Sequence, residues 1–213
     1  MIRTDSEQTR LQAAEIVGRG GVIAFRTDTF YGLGADPFNF AAVARIKKLK
    51  GREGGKPILL VISDLDQLPR FISQQTETFS QLAQKFWPGP LTLIGTAGED
   101  LPAEITAGSL TVGVRLPDDE AVRRLVQTCG GGLTATSANL SGQEPATTAQ
   151  EVGGYFGETL DLIIDGGVAR TDAPSTVVDA SGVSPRLIRA GLIPGSAITQ
   201  ELLAAALEGF TES

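Results

Sequence analysis

The chain has 213 residues, 41% hydrophobic and 20% charged, a balance that fits a soluble globular protein with one well-buried core and excludes disordered and collagen-like classes. It contains no histidine and a single cysteine, Cys129, which excludes a histidine-dependent triad, an internal disulfide and the usual zinc and haem ligand sets. The polar start, Met1 to Arg10, and the lack of any apolar run near the roughly 18 residues of a membrane span predict a cytoplasmic protein with neither signal peptide nor membrane anchor.

In chain order, Leu11, Ala14, Ile16 and Val17 after the polar Ser6 predict a first helix, stopped by the glycines at Gly18 to Gly21. Val22 to Phe25 reads as a strand running into a loop, Thr27-Asp28-Thr29-Phe30-Tyr31-Gly32-Leu33-Gly34, the first candidate site. Asn39 caps an expected helix to about Lys50, with Ala42, Val43, Ile46 and Leu49 on one stripe. Pro57 to Ile62 reads as a strand, Thr76 to Phe86 as a helix that Trp87-Pro88-Gly89-Pro90 ends, and Leu91 to Gly95 as another strand. Thr111 to Leu116 follows as a strand, then a helix capped by Asp118 to about Cys129. Leu133 to Thr136 is a strand that enters Ser137-Ala138-Asn139-Leu140-Ser141-Gly142, the second candidate site. The remainder predicts a helix near Ala149 to Phe156, strands at Leu160 to Ile164, Ser175 to Val178 and Arg186 to Arg189, and a last helix from about Ile198 to Leu207. Helices and strands interleave without a strict βαβ rhythm, so the expected fold class is α/β, a single domain over 1–213 with a twisted mixed β-sheet flanked by helices.

The net charge is −7, yet Arg45 to Lys56 holds six basic residues against one acidic. Such a cluster suits a compact polyanion such as a nucleotide better than a long nucleic-acid backbone, with a solvated helix face as the plain alternative. Lys47 and Lys48 are also what a helix C-terminus favours. Loops of Thr, Ser, Asn and Gly at strand ends can offer hydroxyls and N–H groups to a phosphate or carboxylate, although Thr27, Thr29, Ser137 and Asn139 also serve as ordinary turn or capping residues. Neither a Walker sequence nor a Rossmann glycine fingerprint is present, so a nucleotide site must be of another kind. Arg115, on an apolar strand, needs an anionic partner, either a ligand or an internal carboxylate.

The Thr27 to Gly34 segment, Lys50-Gly51-Arg52, Trp87-Pro88-Gly89-Pro90-Leu91-Thr92, Val112-Gly113-Val114-Arg115, Ser137 to Gly142 and Pro174-Ser175-Thr176-Val177-Val178-Asp179 stand in this order along the chain. Through them, from about Gly20 to Gly191, the chain resembles the YrdC-like threonylcarbamoyl-AMP synthases. The resemblance implies one YrdC-like domain with a concave basic ligand groove, in the short form without a C-terminal extension. It implies a nucleotidyltransferase that joins L-threonine, bicarbonate and ATP into threonylcarbamoyl-adenylate, with Mg2+ accompanying ATP, and hands the product to tRNA-modifying transferase proteins. By the family pattern, Lys50, Arg52, Ser137 and Asn139 are the catalytic set. Thr29, Tyr31, Arg115, Ser137 and Ser175 would hold L-threonine. Lys50, Arg52, Lys56, Thr111, Ala135, Asn139, Pro145 and Arg189 would border ATP, and no residue is singled out as a metal ligand.

Two positions depart from the family pattern. Arg26 stands where proline is common, and Val61 stands where many members carry a histidine near the threonine. The alternative from another class is an RNA-binding or ribosome-associated module of the same fold without turnover. Aromatics at 6% and acidic charge outside the basic cluster argue against it, though weak RNA contact stays open.

Overall fold

In the computed structural model, which describes residues 1–51 and 55–208, the chain builds two mixed sheets with helices on their faces. The strands are β1 (Ile2–Thr4), β2 (Ile23–Arg26), β3 (Tyr31–Gly34), β4 (Leu60–Ile62), β5 (Ile72–Gln74), β6 (Leu91–Ala97), β7 (Thr111–Arg115), β8 (Gly132–Thr134), β9 (Thr136–Ser137), β10 (Leu162–Asp165), β11 (Thr176–Asp179) and β12 (Arg186–Arg189). The helices are α1 (Glu7–Gly18), α2 (Phe40–Leu49), α3 (Glu77–Phe86), α4 (Ala103–Thr106), α5 (Glu120–Thr128), α6 (Ala149–Phe156) and α7 (Gly195–Glu208), with short 3-10 turns at Leu65–Arg70 and Gly157–Thr159.

The first sheet has the order β1-β10-β2-β3-β9 and the second β12-β11-β6-β7-β4-β8, with β5 added beside β6. A single sheet was expected from the interleaved pattern. The split arises at Ala135, where the chain leaves β8 in one sheet and begins β9 in the other. A one-residue transfer carries no signal in composition. Tyr31 to Gly34, expected as loop, is strand β3, paired antiparallel with β2 through Arg26↔Tyr31 and Ile23↔Gly34. Its glycines hid a fully buried strand, and β1, β5 and α4 were too short for periodicity to reveal.

Side chains along Val22 to Phe25 alternate between two cores. Ile23 and Phe25 pack with Ala13 and Val17 of α1, Val122, Leu125 and Val126 of α5, and Leu162 and Ile164 of β10. Val22 and Ala24 face the larger core, which contains Leu33, Val43, Ile46, Val152 and Phe156. This period-two alternation, with both faces covered, is why the strand reads as an unbroken apolar run.

The helix starts follow from side-chain caps. Ser6, Asn39 and Thr76 accept from the N–H groups of Thr9, Ala42 and Phe79, and Thr148 with Glu151 forms a capping box at α6. For α5 the cap is Asp119, which accepts from Ala121 and Val122, and not Asp118 as expected. The Asp118 carbonyl instead accepts from Arg170. No helix among the described residues is long and apolar enough to cross a membrane.

Candidate functional site

Beside the sheet junction lies an open cavity of about 560 Å³, within the span of about 300–1,000 Å³ usual for small-molecule sites. At the junction itself the Ala135 N–H donates to Leu59 O at 2.8 Å. Thr27 and Thr29 reach the cavity from the β2–β3 turn, Val61 from β4, Arg115 from the end of β7, Ser137 from β9, and Ser175, Ile188 and Arg189 from around β11 and β12. Thr92, Ile94 and Val177 add wall from the centre of the second sheet, and Lys56 and Pro145 are among the loop residues of the lining.

The β2–β3 reversal is a four-residue turn closed by Thr27 N–H to Phe30 O at 3.0 Å. Thr27 Oγ1 donates to Phe30 O at 2.7 Å and accepts from Thr29 N–H at 3.1 Å, so the two threonine hydroxyls sit side by side, 3.1 Å apart. Arg115 reaches them across the sheet junction. Its Nη1 donates to Thr29 Oγ1 and its Nη2 to Thr27 Oγ1, both at 3.3 Å, while Nη2 lies 3.0 Å from Asp28 Oδ1. Arg115 and Asp28 are only 6% and 8% exposed. Burial pushes the Asp28 carboxyl up, and Arg115 then opposes that shift without cancelling it. Burial likewise lowers the Arg115 guanidinium, countered by Asp28, and the guanidinium stays protonated because its ordinary value is so high.

On the far side of the cavity, Ser175 Oγ lies 2.9 Å from Thr92 Oγ1 and accepts from Arg189 Nη2 at 2.9 Å. Arg189 also donates from Nε and Nη2 to Ser175 O, at 3.1 and 2.9 Å. Gly191 permits this packing, since a Cβ there would stand 2.3 Å from Pro174 O. Desolvation lowers the Arg189 guanidinium and repulsion from Arg115 lowers it further, so two like charges address one cavity. That arrangement favours an anion between them.

The second candidate segment has a different character. Lys50 is 2% exposed, and its Nζ donates to Ser137 O, to Asn139 O at 3.0 Å and to Asn139 Oδ1 at 3.3 Å. Ser137 Oγ donates to Asn139 Oδ1 at 2.6 Å, and Asn139 Nδ2 donates to Leu140 O and Gln143 O. Lys50, Ser137 and Asn139 therefore form one knot in which the lysine holds the loop. Of the three, Ser137 alone borders the cavity among the described residues.

The remaining expected residues divide. Thr29, Lys56, Arg115, Ala135, Pro145, Ser175 and Arg189 line the cavity, and so does Tyr31, whose hydroxyl is committed to Gly167 O at 2.7 Å. Burial, and then Asp165, pushes the Tyr31 phenol up to about 12. Thr111 opens β7 at the end opposite Arg115, about 13 Å along the strand at the usual rise, and is absent from the lining. Arg52 lies outside the described residues. Among the described residues of the basic cluster, Arg45 and Lys50 do not share one surface: Arg45 is bonded to Asp161 and Thr159, and Lys50 points inward. Asp28 and Thr92 stood inside the candidate and resemblance segments, but sequence reasoning gave neither a role of its own in the site. The available signal was a polar residue on an otherwise apolar strand and an acid between two threonines.

A family model described as Sua5_yciO_yrdC, telomere recombination, matches residues 15–191. The chain is 38% identical to the threonylcarbamoyl-AMP synthase of Pyrococcus abyssi over 91% of its own length and 57% of that protein. It is 39% identical to the threonylcarbamoyl-AMP synthase of Thiobacillus denitrificans over 76% of its length and 85% of that protein. The chain thus spans little more than half of some relatives and most of others. Among solved structures, P. abyssi Sua5 complexed with L-threonine superposes with a TM-score of 0.89 at 36% identity, covering 95% of this chain and 59% of that one. E. coli YciO superposes with a TM-score of 0.80 at 27% identity, covering 90% and 94%. With the family model matched over most of the chain and the fold shared with solved members, this protein belongs to the Sua5/YciO/YrdC family.

Proposed function

We propose that this chain is an L-threonylcarbamoyladenylate synthase. The observation that carries the reading is the pair of guanidiniums, Arg115 and Arg189, addressing one cavity among anchored hydroxyls, with no acidic side chain among its described lining residues. Relatives carrying the name threonylcarbamoyl-AMP synthase and the Sua5 structure with L-threonine support it.

In this reading the threonine carboxylate meets the fork of Arg115, with Thr29, Ser175 and the Tyr31 region around it. The threonine amine bonds to the carbon of bicarbonate with loss of water. One oxygen of the resulting carbamate then attacks the α-phosphorus of ATP as the bond to pyrophosphate breaks. Lys56, Arg189 and Arg52 would stabilise the phosphate charge that gathers in this step, and Ser137 would offer a hydroxyl, with Lys50 and Asn139 holding its loop. Such a transfer needs positioning and cations more than a base, which suits a chain without histidine. Magnesium enters on the ATP phosphates and belongs to the substrate. The product would pass to tRNA-modifying transferases in the cytoplasm, where ATP and tRNA meet.

The test is incubation of the purified protein with ATP, magnesium, bicarbonate and single amino acids, following pyrophosphate and the adenylate mass. Pyrophosphate that depends on both threonine and bicarbonate, with the threonylcarbamoyl-adenylate mass, is the expected result. ATP binding without product, together with tight RNA binding at physiological salt, would favour the non-catalytic RNA module instead.

A further inference from the structure

Arg115 carries a buried positive charge at the end of β7, and the contacts that fix its orientation are unequal. Its two hydroxyl partners, Thr27 and Thr29, are each 3.3 Å away, at the long end of hydrogen bonding and therefore weak. Its Nε has no hydrogen-bond partner. The shortest contact is with Asp28, whose Oδ1 lies 3.0 Å from Nη2 as an ion pair and not as an aligned hydrogen bond. Asp28 is buried and is not among the cavity's lining residues, whereas Arg115 is. The neighbouring acid, Asp119, is already engaged. It pairs with Arg26 at 2.7 Å and Arg170 at 3.3 Å, and its other oxygen caps α5.

We propose that Asp28 is a positioning residue that holds the Arg115 fork for the carboxylate of the amino-acid substrate. The inference rests on the reading given under Proposed function and adds a second residue to its recognition step. A carboxylate fixed beside the guanidinium, off the cavity lining, has two opposite effects on an incoming anion. It offsets part of the attraction between Arg115 and any anion, and it fixes the plane in which two parallel N–H groups can meet a carboxylate. The two effects separate in experiment. If charge alone mattered, removing the Asp28 charge would tighten anion binding. If orientation matters, the same change weakens threonine recognition.

The experiment compares wild type, Asp28→Asn, Asp28→Glu, Arg115→Lys and the Asp28→Asn/Arg115→Lys double variant. It reads threonine KM, ATP KM, kcat and thermal midpoint in the pyrophosphate assay. The expected result is a threonine KM raised about tenfold in Asp28→Asn, as the close charge that holds the fork is removed, with ATP KM within about twofold. Asp28→Glu, which keeps the charge but displaces the oxygens, should recover only part of the loss. In the double variant the Asp28 change should add little, because Asp28 acts through the fork that Arg115→Lys has already removed. An Asp28→Asn threonine KM equal to or below wild type overturns the inference while leaving the enzyme reading intact. Parallel loss of ATP and threonine parameters with a lowered thermal midpoint in both Asp28 variants also overturns it, since that is a structural role. A wild-type protein that neither binds nor turns over threonine overturns the enzyme reading, and the inference with it.

Discussion

Arg115 and Lys50 are both buried cations at the ends of their elements, and both stand in segments that carry the family resemblance, yet the fold uses them in opposite ways. The Lys50 ammonium is surrounded by the carbonyl oxygens of Ser137 and Asn139 and the Asn139 side chain. Arg115 has long bonds to two threonine hydroxyls, one carboxylate paired with it off the cavity lining, and a place in the wall of an open cavity. An ammonium ringed by backbone oxygens is a point charge used as a tie. In the proposed reading, a planar guanidinium facing a cavity is a fork kept for a ligand. The difference teaches that two buried cations in motif segments can stand in unlike surroundings, one against loop carbonyls and one in a cavity wall, and the proposed roles follow that contrast.

The sharpest way to break this comparison is Arg115→Lys. The charge remains and the fork is lost, so kcat/KM for threonine should fall by on the order of a hundredfold, as for loss of an oriented electrostatic donor. The thermal midpoint should move by less than about 4 °C because the ion pair with Asp28 retains a cation. Steady-state pyrophosphate assays and calorimetry on the same preparation would check both halves.

Lys50→Met should give the converse pattern. It leaves several buried oxygens without their donor, at a cost of about 2 kcal/mol, or a midpoint lower by about 4–8 °C in a protein of this size. Activity should fall along with it as the Ser137 loop loosens. Lost activity with an unchanged midpoint would mean that Lys50 serves a ligand directly and that the contrast with Arg115 is wrong.

Ser175→Ala is a finer test, because Arg189 would keep its bonds to Ser175 O and lose only the one to Oγ. A loss of about tenfold or less in kcat/KM for threonine is expected, the worth of one hydrogen bond.

The smallest expected effect concerns Asp161, which ties Arg45 of the former basic cluster to the Val22 N–H, away from the cavity. Burial raises its carboxyl, but hydrogen bonds from Arg45 and Val22 outweigh that and leave it lowered. A lowered folded value means that the unfolded chain binds more protons in that range. This contribution to stability is therefore present above the ordinary carboxylate value, near 3.9, and is lost as pH falls through the folded one. Asp161→Asn should lower the midpoint at neutral pH by no more than about 4 °C, given partial solvent screening, and should leave a flatter acid limb in a pH series. Activity per folded molecule should be unchanged.

Most of the elements could be read directly from the chain. The caps at Ser6, Asn39 and Thr76 and the glycine and proline stops mark the helices, because these signals act within a few residues of where they stand. Much of the cavity lining was also named in advance, through motifs placed at strand ends. The exceptions are instructive. Thr111 belongs to the same strand as Arg115 but lies at its other end, and a strand's direction relative to a cavity is not written in its own residues. Arg45 was grouped with Lys50 by proximity along the chain, whereas its partner, Asp161, is 116 positions away.

By itself, then, the sequence determined the α/β class, the positions of the helices and main strands, and the residue types gathered in the site motifs, because propensity, capping and hydrophobic period are local. The tertiary structure decided that the strands divide into two sheets at Ala135, that Arg115 faces the cavity, and that Lys50 turns away from it. Those outcomes depend on which distant oxygens surround each buried charge, and only the packed chain brings them together.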